Sequence, residues 1–235
     1  MKNINQNMLN NDFAGTTIIA CATVIEEMMP FIPPEMPHQT LDFGLHVNPG
    51  ELKISLQKAI DETSPSIKHI VLGYGLCSQA IIGLKSDTST LIIPRVDDCI
   101  AIFLGSKTAY RNQNSSEPGT YYLTKGWIKT NSTPFDEFES IAKQYGYAKA
   151  CCILHQLFKN YTRLAFIDTG LADLEQYRLK TRDLASRFGL KYENIQGSDV
   201  LIRKMIFGPW DEDFLIVKPG QTILLSDFMQ METPL

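Results

Sequence analysis

The sequence predicts an α/β fold of three layers, in which helices cover both faces of a mainly parallel sheet. Short apolar runs with strand character alternate along the chain with segments whose apolar residues have helical spacing. The runs are apolar at nearly every position, as parallel strands are when both of their faces are covered. We therefore expect a Rossmann-like architecture with a β-rich excursion outside the main sheet.

Three strands are predicted in the first half of the chain, and a cysteine follows each of them. The pairs are residues 16–20 with Cys21, residues 67–73 with Cys77, and residues 90–94 with Cys99. Each cysteine stands at the predicted start of a helix. Because parallel strands deliver their following loops to one edge of a sheet, we expect the three sulfurs to converge.

The helices between these strands have recognisable start signals. Asn48 is predicted to be an N-cap, with Pro49 at the first helical position and Glu51 three residues after the cap. A helix is also expected over residues 98–104, while the four prolines of residues 30–37 predict a loop.

The second half continues the alternation of helices and strands. Thr133 is predicted to cap a helix that begins at Pro134 and is stopped by Gly146. Residues 112–124 combine turn chemistry with aromatic β-formers, which predicts the excursion and a lid over the strand ends. The remaining predictions are strands over 164–168, 214–217 and 222–225 and helices over 171–188 and 198–207.

Composition and charge limit the class of protein. The 235 residues are 44% hydrophobic and 20% charged, which is normal for a folded protein and predicts a single α/β domain over 15–235. The polar, Asn-rich residues 1–14 predict a disordered N-terminal tail. The net charge of −4, with no cluster of Lys and Arg, makes nucleic acid an unexpected partner. We also find no GxSxG nucleophile elbow of a serine hydrolase.

The sequence also indicates where the protein is located. The N-terminal residues are polar and rich in Asn, and no later apolar run approaches the ~20 residues that a membrane span needs. We therefore expect a cytoplasmic protein that has no membrane partner.

The three cysteines are candidate ligands of a metal ion or cluster. An odd count of five cysteines argues against a disulfide framework, and the positive ends of helices are expected to lower the thiol pKa values. Three sulfurs leave one position open on a zinc ion or on a four-iron cluster. His46 is a candidate fourth ligand. The alternative is that Cys21, Cys77 and Cys99 pack as small buried hydrophobic residues.

A glycine-containing loop lies between the second predicted strand and Cys77. Gly73, Tyr74 and Gly75 are candidate cofactor-binding residues, because the loop resembles a dinucleotide-binding turn that has lost its last glycine. The alternative, which we prefer, is that the two glycines allow a tight turn that presents Cys77 and admits another backbone or a ligand.

Charged residues beside Cys99 are candidates for substrate binding and proton transfer. Arg95 follows the proline that ends a predicted strand, where it could bind a carboxylate or phosphate of a small anionic substrate. Asp97 is a candidate proton-transfer group, while Asp98 is better explained as a helix cap.

Four segments together resemble an uncharacterised prokaryotic family, domain of unknown function 1638. They are LDFGLHVNPGELKISLQKAID, IVLGYGLCSQAIIGL, IPRVDDCIAIFLGS and PGTYYLTKGWI, and the resemblance extends from about Thr16 to Gly220. In this chain Gln79 and Ala80 stand where the family pattern has a turn. Members of the family are often encoded beside corrinoid-dependent methyltransferases and their corrinoid proteins, so the resemblance implies one-carbon metabolism with such a partner.

These observations lead to one expected function and one alternative. The first is a protein that binds zinc or an iron–sulfur cluster through its cysteines and supports corrinoid-linked methyl transfer, as a methyl-transfer or redox accessory enzyme. The alternative is a non-enzymatic accessory module that binds a small anion, a nucleotide or a corrinoid.

Overall fold

Two β-sheets organise the computed structural model, which describes residues 13–131 and 133–229. Positions 1–12 of the predicted N-terminal tail lie outside the described residues. Phe13–Gly15 form one turn of 3-10 helix. Within the described ranges, every helix is too short or too polar to cross a membrane.

The structure contains eight strands and ten α-helices over the described residues. The strands are β1 Thr16–Cys21, β2 His38–Leu41, β3 His69–Gly73, β4 Thr90–Pro94, β5 Thr120–Leu123, β6 Arg163–Asp168, β7 Lys191–Gln196 and β8 Phe214–Val217. The helices are α1 Ala22–Met28, α2 Pro49–Asp61, α3 Cys99–Leu104, α4 Lys107–Ser116, α5 Lys125–Lys129, α6 Pro134–Tyr145, α7 Tyr147–Phe158, α8 Glu175–Arg187, α9 Val200–Phe207 and α10 Ser226–Met229.

The first sheet has five strands in the order β2-β1-β3-β4-β8. The first four strands are parallel, and β8 runs antiparallel to β4 at the edge. Residues of β1, β3 and β4 are almost entirely buried, since helices cover both faces. The predicted Rossmann-like α/β fold with a mainly parallel sheet is therefore confirmed.

The second sheet has three parallel strands in the order β5-β6-β7. The segment 112–124, which was predicted to lie outside the main sheet, contributes β5 to this second sheet, as expected. A separate second sheet was not predicted, because β7 has the sequence KYENIQ, in which Ile195 alone is buried. The short edge strand β2, HQTL, also escaped prediction because most of it is exposed and polar.

Helix caps form where the sequence predicts them. The Asn48 Oδ1 atom accepts hydrogen bonds from the backbone N–H groups of Gly50 and Glu51 at 3.2 and 3.4 Å. Thr133 and Asp136 form a reciprocal capping box at the start of α6. These polar side chains satisfy N–H groups that have no partner within the helix, which fixes where each helix begins.

Three predictions about the elements are wrong. Residues 112–116 belong to α4 rather than to a turn, and α8 begins at Glu175 rather than at Leu171. Residues 222–225 form no strand; Thr222 makes a single antiparallel bridge to Lys85. Residues 222–225 lie beside a loop, so they have no neighbouring strand with which to pair.

The strand order of the first sheet determines where a ligand site is expected. The order 2-1-3-4 reverses direction between β1 and β3, so the connections that leave these two strands diverge to opposite faces of the sheet. Ligands of open α/β sheets bind in the crevice beyond the carboxyl ends of the strands at such a point. Cys21 ends β1 at this edge, and the loop that carries Tyr74 and Cys77 leaves β3 beside it.

Close pairing of β1 and β3 leaves no room for a side chain at position 73. Gly73 is in register with Ala20, and a Cβ atom at Gly73 would overlap the Ala20 methyl group and lie 3.2 Å from Cγ1 of Val24. The role that the structure gives to Gly73 is therefore close packing of the two strands.

We expect Gly73→Ala to lower the free energy of unfolding by about 1–3 kcal/mol, the usual cost of overpacking a core. Gly15→Ala is the matched control, because the nearest atom to its added methyl group is on the Lys68 side chain at 3.8 Å. Urea denaturation of both variants measures the difference. Equal effects of the two substitutions would contradict this account of Gly73.

Candidate functional site

Three cysteines lie at the carboxyl edge of the first sheet, and two of them, Cys21 and Cys99, stand at the start of an α-helix as the sequence predicts. Cys21 is the last residue of β1 and the N-cap of α1. Cys77 opens a single 3-10 turn, Cys77–Gln79, in the loop after β3. Cys99 is the first residue of α3, which follows β4.

Backbone contacts between the two loops bring Cys77 and Cys99 to the same place. The N–H group of Leu76 donates to the carbonyl of Val96 at 3.0 Å, and that of Cys77 donates to the carbonyl of Asp97 at 3.2 Å. A Cβ atom at Gly75 would lie 2.8 Å from backbone atoms of Asp98. Gly75 therefore allows the two loops to touch, which agrees with the preferred interpretation of the glycine loop.

The backbone of Cys77 is strained. Its φ angle is +42°, and that of Gln79 is +65°, a left-handed region in which residues other than glycine are uncommon. Such conformations persist only where the surrounding structure enforces them, and they cluster at functional sites. Here the hydrogen bonds between the loops enforce a backbone that presents Cys77 beside Cys99.

Burial keeps the three thiols in their neutral form. Loss of hydration raises the pKa of Cys21, Cys77 and Cys99 above the usual value of a thiol, and Cys21 raises the pKa values of Cys77 and Cys99 further. Cys77 also raises the pKa of Cys99. The predicted lowering of the thiol pKa values is wrong, because desolvation outweighs the dipoles of helices as short as α1, α3 and a 3-10 turn.

A column of three stacked rings leads to Tyr74, the first residue after β3. The ring of His46 stacks on Phe43 at 5.0 Å and on Tyr74 at 5.9 Å, measured between ring centroids. His46 is held in a 3-10 turn, Phe43–Val47, in which the side chain of Asp42 accepts a hydrogen bond from the N–H group of Gly44 at 2.7 Å. All three cysteines raise the pKa of Tyr74, after desolvation, so the tyrosine shares their electrostatic environment.

Two polar atoms of this column are buried and have no hydrogen-bond partner. They are the Nε2 atom of His46 and the hydroxyl group of Tyr74. Burial also lowers the pKa of His46, so its imidazole is neutral at neutral pH and can act as a ligand. Buried polar groups are nearly always paired in folded proteins, so these two unpaired atoms are unusual.

The side chains of this region do not form a ready-made set of metal ligands. Over residues 13–131 and 133–229, no group of three or more His, Cys, Asp or Glu side chains is arranged so that it could hold a metal ion. The structure thus brings the predicted cysteines into one region without placing them in ligand geometry.

The guanidinium group of Arg95 is engaged by backbone carbonyls. Its Nε atom donates to the carbonyl of Phe214 at 3.1 Å, and a terminal nitrogen donates to the carbonyl of Asp227. These contacts attach β8 and α10 to the end of β4. An anion at this position would have to share Arg95 with those carbonyls.

The two aspartates beside Cys99 have different roles. Asp97 is partly exposed and forms an ion pair with Lys107, with 3.6 Å between Nζ and Oδ1. Asp98 caps α3 by accepting a hydrogen bond from the N–H group of Ile100 at 2.9 Å, so its predicted role as a cap is confirmed. Burial raises the pKa of Asp98.

The family is decided by a match to the sequence model described as "Protein of unknown function (DUF1638)", which covers residues 40–206. The chain belongs to the DUF1638 family. No curated protein and no solved structure matches it significantly. The matched region of this DUF1638 protein includes His46, Cys77 and Cys99, whereas Cys21 precedes it.

The second sheet of the DUF1638 protein closes over the same region. Trp127, on the helix after β5, packs edge-on against Phe103 of α3 at 5.4 Å and against Phe43 of the ring column at 6.5 Å. The N–H group of Ser198, in the loop after β7, donates to the carbonyl of Phe103. The carboxyl ends of both sheets therefore face this region, an arrangement that the sequence analysis did not foresee.

A buried glutamate joins the two sheets. Glu27 of α1 is completely buried; one carboxyl oxygen accepts from the N–H group of Gly126 at 2.8 Å and the other from the hydroxyl group of Thr169 at 2.6 Å. Gly126 and Thr169 follow β5 and β6 of the second sheet. The only signal in the sequence was an acidic residue on the apolar side of a predicted helix, three positions after Val24.

The ionisation of Glu27 is expected to make stability depend on pH. Burial raises the pKa of its carboxyl group, with the hydrogen bonds from Thr169 and Gly126 opposing part of this effect. A raised pKa means that the folded protein holds the proton more tightly than the unfolded chain. Glu27 therefore contributes most to stability below the unfolded pKa of ~4.3, and this contribution is lost as the pH rises through the folded pKa.

We expect Glu27→Gln to become more stable relative to the wild type as the pH rises from about 4 to about 7, because glutamine does not ionise. Glu27→Ala should be about 2–4 kcal/mol less stable than Glu27→Gln at each pH, since the alanine variant leaves two buried donors unpaired. Denaturant unfolding across this pH range measures both. Parallel pH curves for the wild type and Glu27→Gln would show that the carboxyl group is not the titrating group.

Proposed function

We propose that this DUF1638 protein binds zinc or an iron–sulfur cluster through Cys21, Cys77 and Cys99, with His46 as a candidate fourth ligand. The observation that carries the proposal is the convergence of three thiols from three separate strand ends at the switch point of a parallel sheet. Ligands bind at this point in open α/β sheets.

The donor set suits these groups chemically. Zinc is bound by cysteine thiolates and histidine nitrogens, and iron–sulfur clusters are bound mainly by thiolates. The unpaired Nε2 atom of His46 and the unpaired hydroxyl group of Tyr74 supply polar atoms in the same buried region. When bound, zinc would supply an open Lewis-acid position or an activated thiolate, and a cluster would supply electrons.

Binding requires the three thiols to lose their protons. Since burial raises their pKa values, the positive charge of the metal must compensate for the cost of forming buried thiolates. Hydrogen bonds to backbone groups of Gly75 and Cys99 lower the pKa of Cys77, so they reduce the cost of forming its thiolate. The three cysteines would hold the metal only after their side chains moved into ligand geometry.

Support of corrinoid-linked methyl transfer is the activity that we propose for this site. It follows from the family resemblance, which implies a corrinoid protein or a methyltransferase as the partner. Arg95 would contact the anionic substrate and Asp97 would exchange a proton, which requires Arg95 to share its donors and Asp97 to leave Lys107. Gly73, Tyr74 and Gly75 line the start of the loop that would face the bound group.

A second candidate is a non-enzymatic accessory module that binds a small anion, a nucleotide or a corrinoid. The neutral, buried state of the three thiols favours it, because cysteines that only pack have this character. In that case affinity for the small molecule would survive replacement of all three cysteines.

We expect the protein purified without oxygen to contain either zinc or iron with sulfide, and Cys77→Ala to lose most of it because one of three thiolate ligands is removed. Elemental analysis and an absorption spectrum measure the content. Cys152→Ala is the matched control, since it removes the same atoms from an exposed position on α7.

The metal-binding proposal fails if the wild type stays colourless and free of metal after anaerobic incubation with ferrous iron and sulfide and, separately, with Zn²⁺. It also fails if Cys77→Ala and Cys152→Ala retain equal amounts of metal.

A further inference from the structure

We propose that a cavity at the amino edge of the first sheet binds a small, uncharged, planar heteroaromatic molecule. Thr16 and His69, the first residues of β1 and β3, both line this cavity. The cavity therefore lies at the opposite end of these strands from the three cysteines, and binding there does not involve the proposed metal ligands.

The size of the cavity limits what it can hold. Its volume is about 320 Å³. Pockets for small molecules usually measure about 300–1,000 Å³, so this cavity lies at the lower end of that range. A ligand of one ring or two fused rings suits this volume, whereas a dinucleotide or a corrinoid needs a larger space.

Four partly exposed aromatic side chains line the cavity. They are those of Phe13, His69, Phe207 and Trp210. The rings of Phe13 and Phe207 meet edge-on at 6.1 Å, and those of His69 and Trp210 are tilted at 5.1 Å, measured between ring centroids. Because aromatic side chains favour edge-on and offset-stacked contacts with other rings, a planar aromatic ligand gains more here than an aliphatic one of similar size.

The protein holds the walls of this cavity in place. The Nε1 atom of Trp210 donates a hydrogen bond to the carbonyl of Met205 at 3.3 Å, which restricts the indole ring. Thr16 and His69 are in register on neighbouring parallel strands, so their side chains lie on the same face of the sheet. Little ordering of these side chains is needed when a ligand binds, which lowers the entropic cost of binding.

The polar groups of the cavity are uncharged at neutral pH. Of the described residues that line it, none is Asp, Glu, Lys or Arg. Burial and the nearby charge of Lys68 lower the pKa of His69, so its imidazole is neutral. A neutral imidazole offers one donor and one acceptor nitrogen, and the Thr16 hydroxyl group can do both. These groups suit a ring that carries an N–H group or a ring nitrogen, whereas a charged ligand would have no counter-ion.

The test uses the full-length protein, labelled at its isoleucine methyl groups for NMR, and two separate probes, indole and adenine, which are both uncharged at neutral pH. At least one probe should bind saturably, with a dissociation constant below about 1 mM. Binding should shift the methyl resonance of Ile206, which lines the cavity, and leave that of Ile54, exposed on α2, unchanged. Cyclohexanol, which is not aromatic, should bind more weakly than that probe.

Variants of His69 test the polar contact. We expect His69→Leu to weaken binding of the probe about tenfold, since it removes one hydrogen-bonding group from the cavity. His69→Gln should retain most of the affinity, because its amide supplies both a donor and an acceptor. His38→Leu is the matched control, since His38 is an exposed residue of β2 outside the cavity.

Failure of both probes to bind the wild type saturably would overturn this proposal, and so would equal shifts at Ile206 and Ile54. Equal affinities of His69→Leu and the wild type would also overturn it. An Ile206 resonance that shifts with protein concentration in the absence of a probe would assign the cavity to a second copy of the chain instead. If His69→Leu does not fold, the measurements on the wild type decide the result.

Discussion

Parallel pairing of β1, β3 and β4 is the constraint on which the rest of this structure depends. Ala20 of β1 faces Gly73 of β3, and the pairing continues from β3 to β4. Because the three strands run in the same direction, their carboxyl ends lie at one edge, and the loops that follow them meet there. The convergence of the three thiols, the contact between the loops and the position of Tyr74 all follow from this alignment.

The second sheet gives this edge its buried character. Trp127 packs over the ring column, and Glu27 joins α1 to the loops after β5 and β6. Enclosure of this kind removes water from the thiols, which raises their pKa values and opposes their ionisation. A bound metal cation would favour the thiolates again. Burial of the three thiols is therefore consistent with a metal site and equally with a packed core.

Much of the first sheet could be predicted from the sequence, because fully buried parallel strands such as β4 are continuous apolar runs with a clear beginning and end. Helix starts were also predictable where one side chain decides them, as Asn48 and Asp98 do. The edge strands β2 and β7 could not be predicted, because most of their residues are exposed. They are held in place by pairing with β1 and β6. The cysteines at the strand ends could be predicted from the sequence. The packing of the second sheet against this edge of the first sheet could not. Trp127 and Glu27 join the second sheet to the first through tertiary contacts that leave no local pattern in the sequence.

The central proposal is that Cys21, Cys77 and Cys99 bind one metal centre at the carboxyl edge of the first sheet. The most direct measurement is a crystal structure of the protein purified without oxygen, with diffraction data collected on both sides of the absorption edge of the metal found by elemental analysis. This account predicts one anomalous peak within bonding distance of sulfurs from all three cysteines. Three thiols packed against apolar side chains, with no anomalous peak among them, would contradict it.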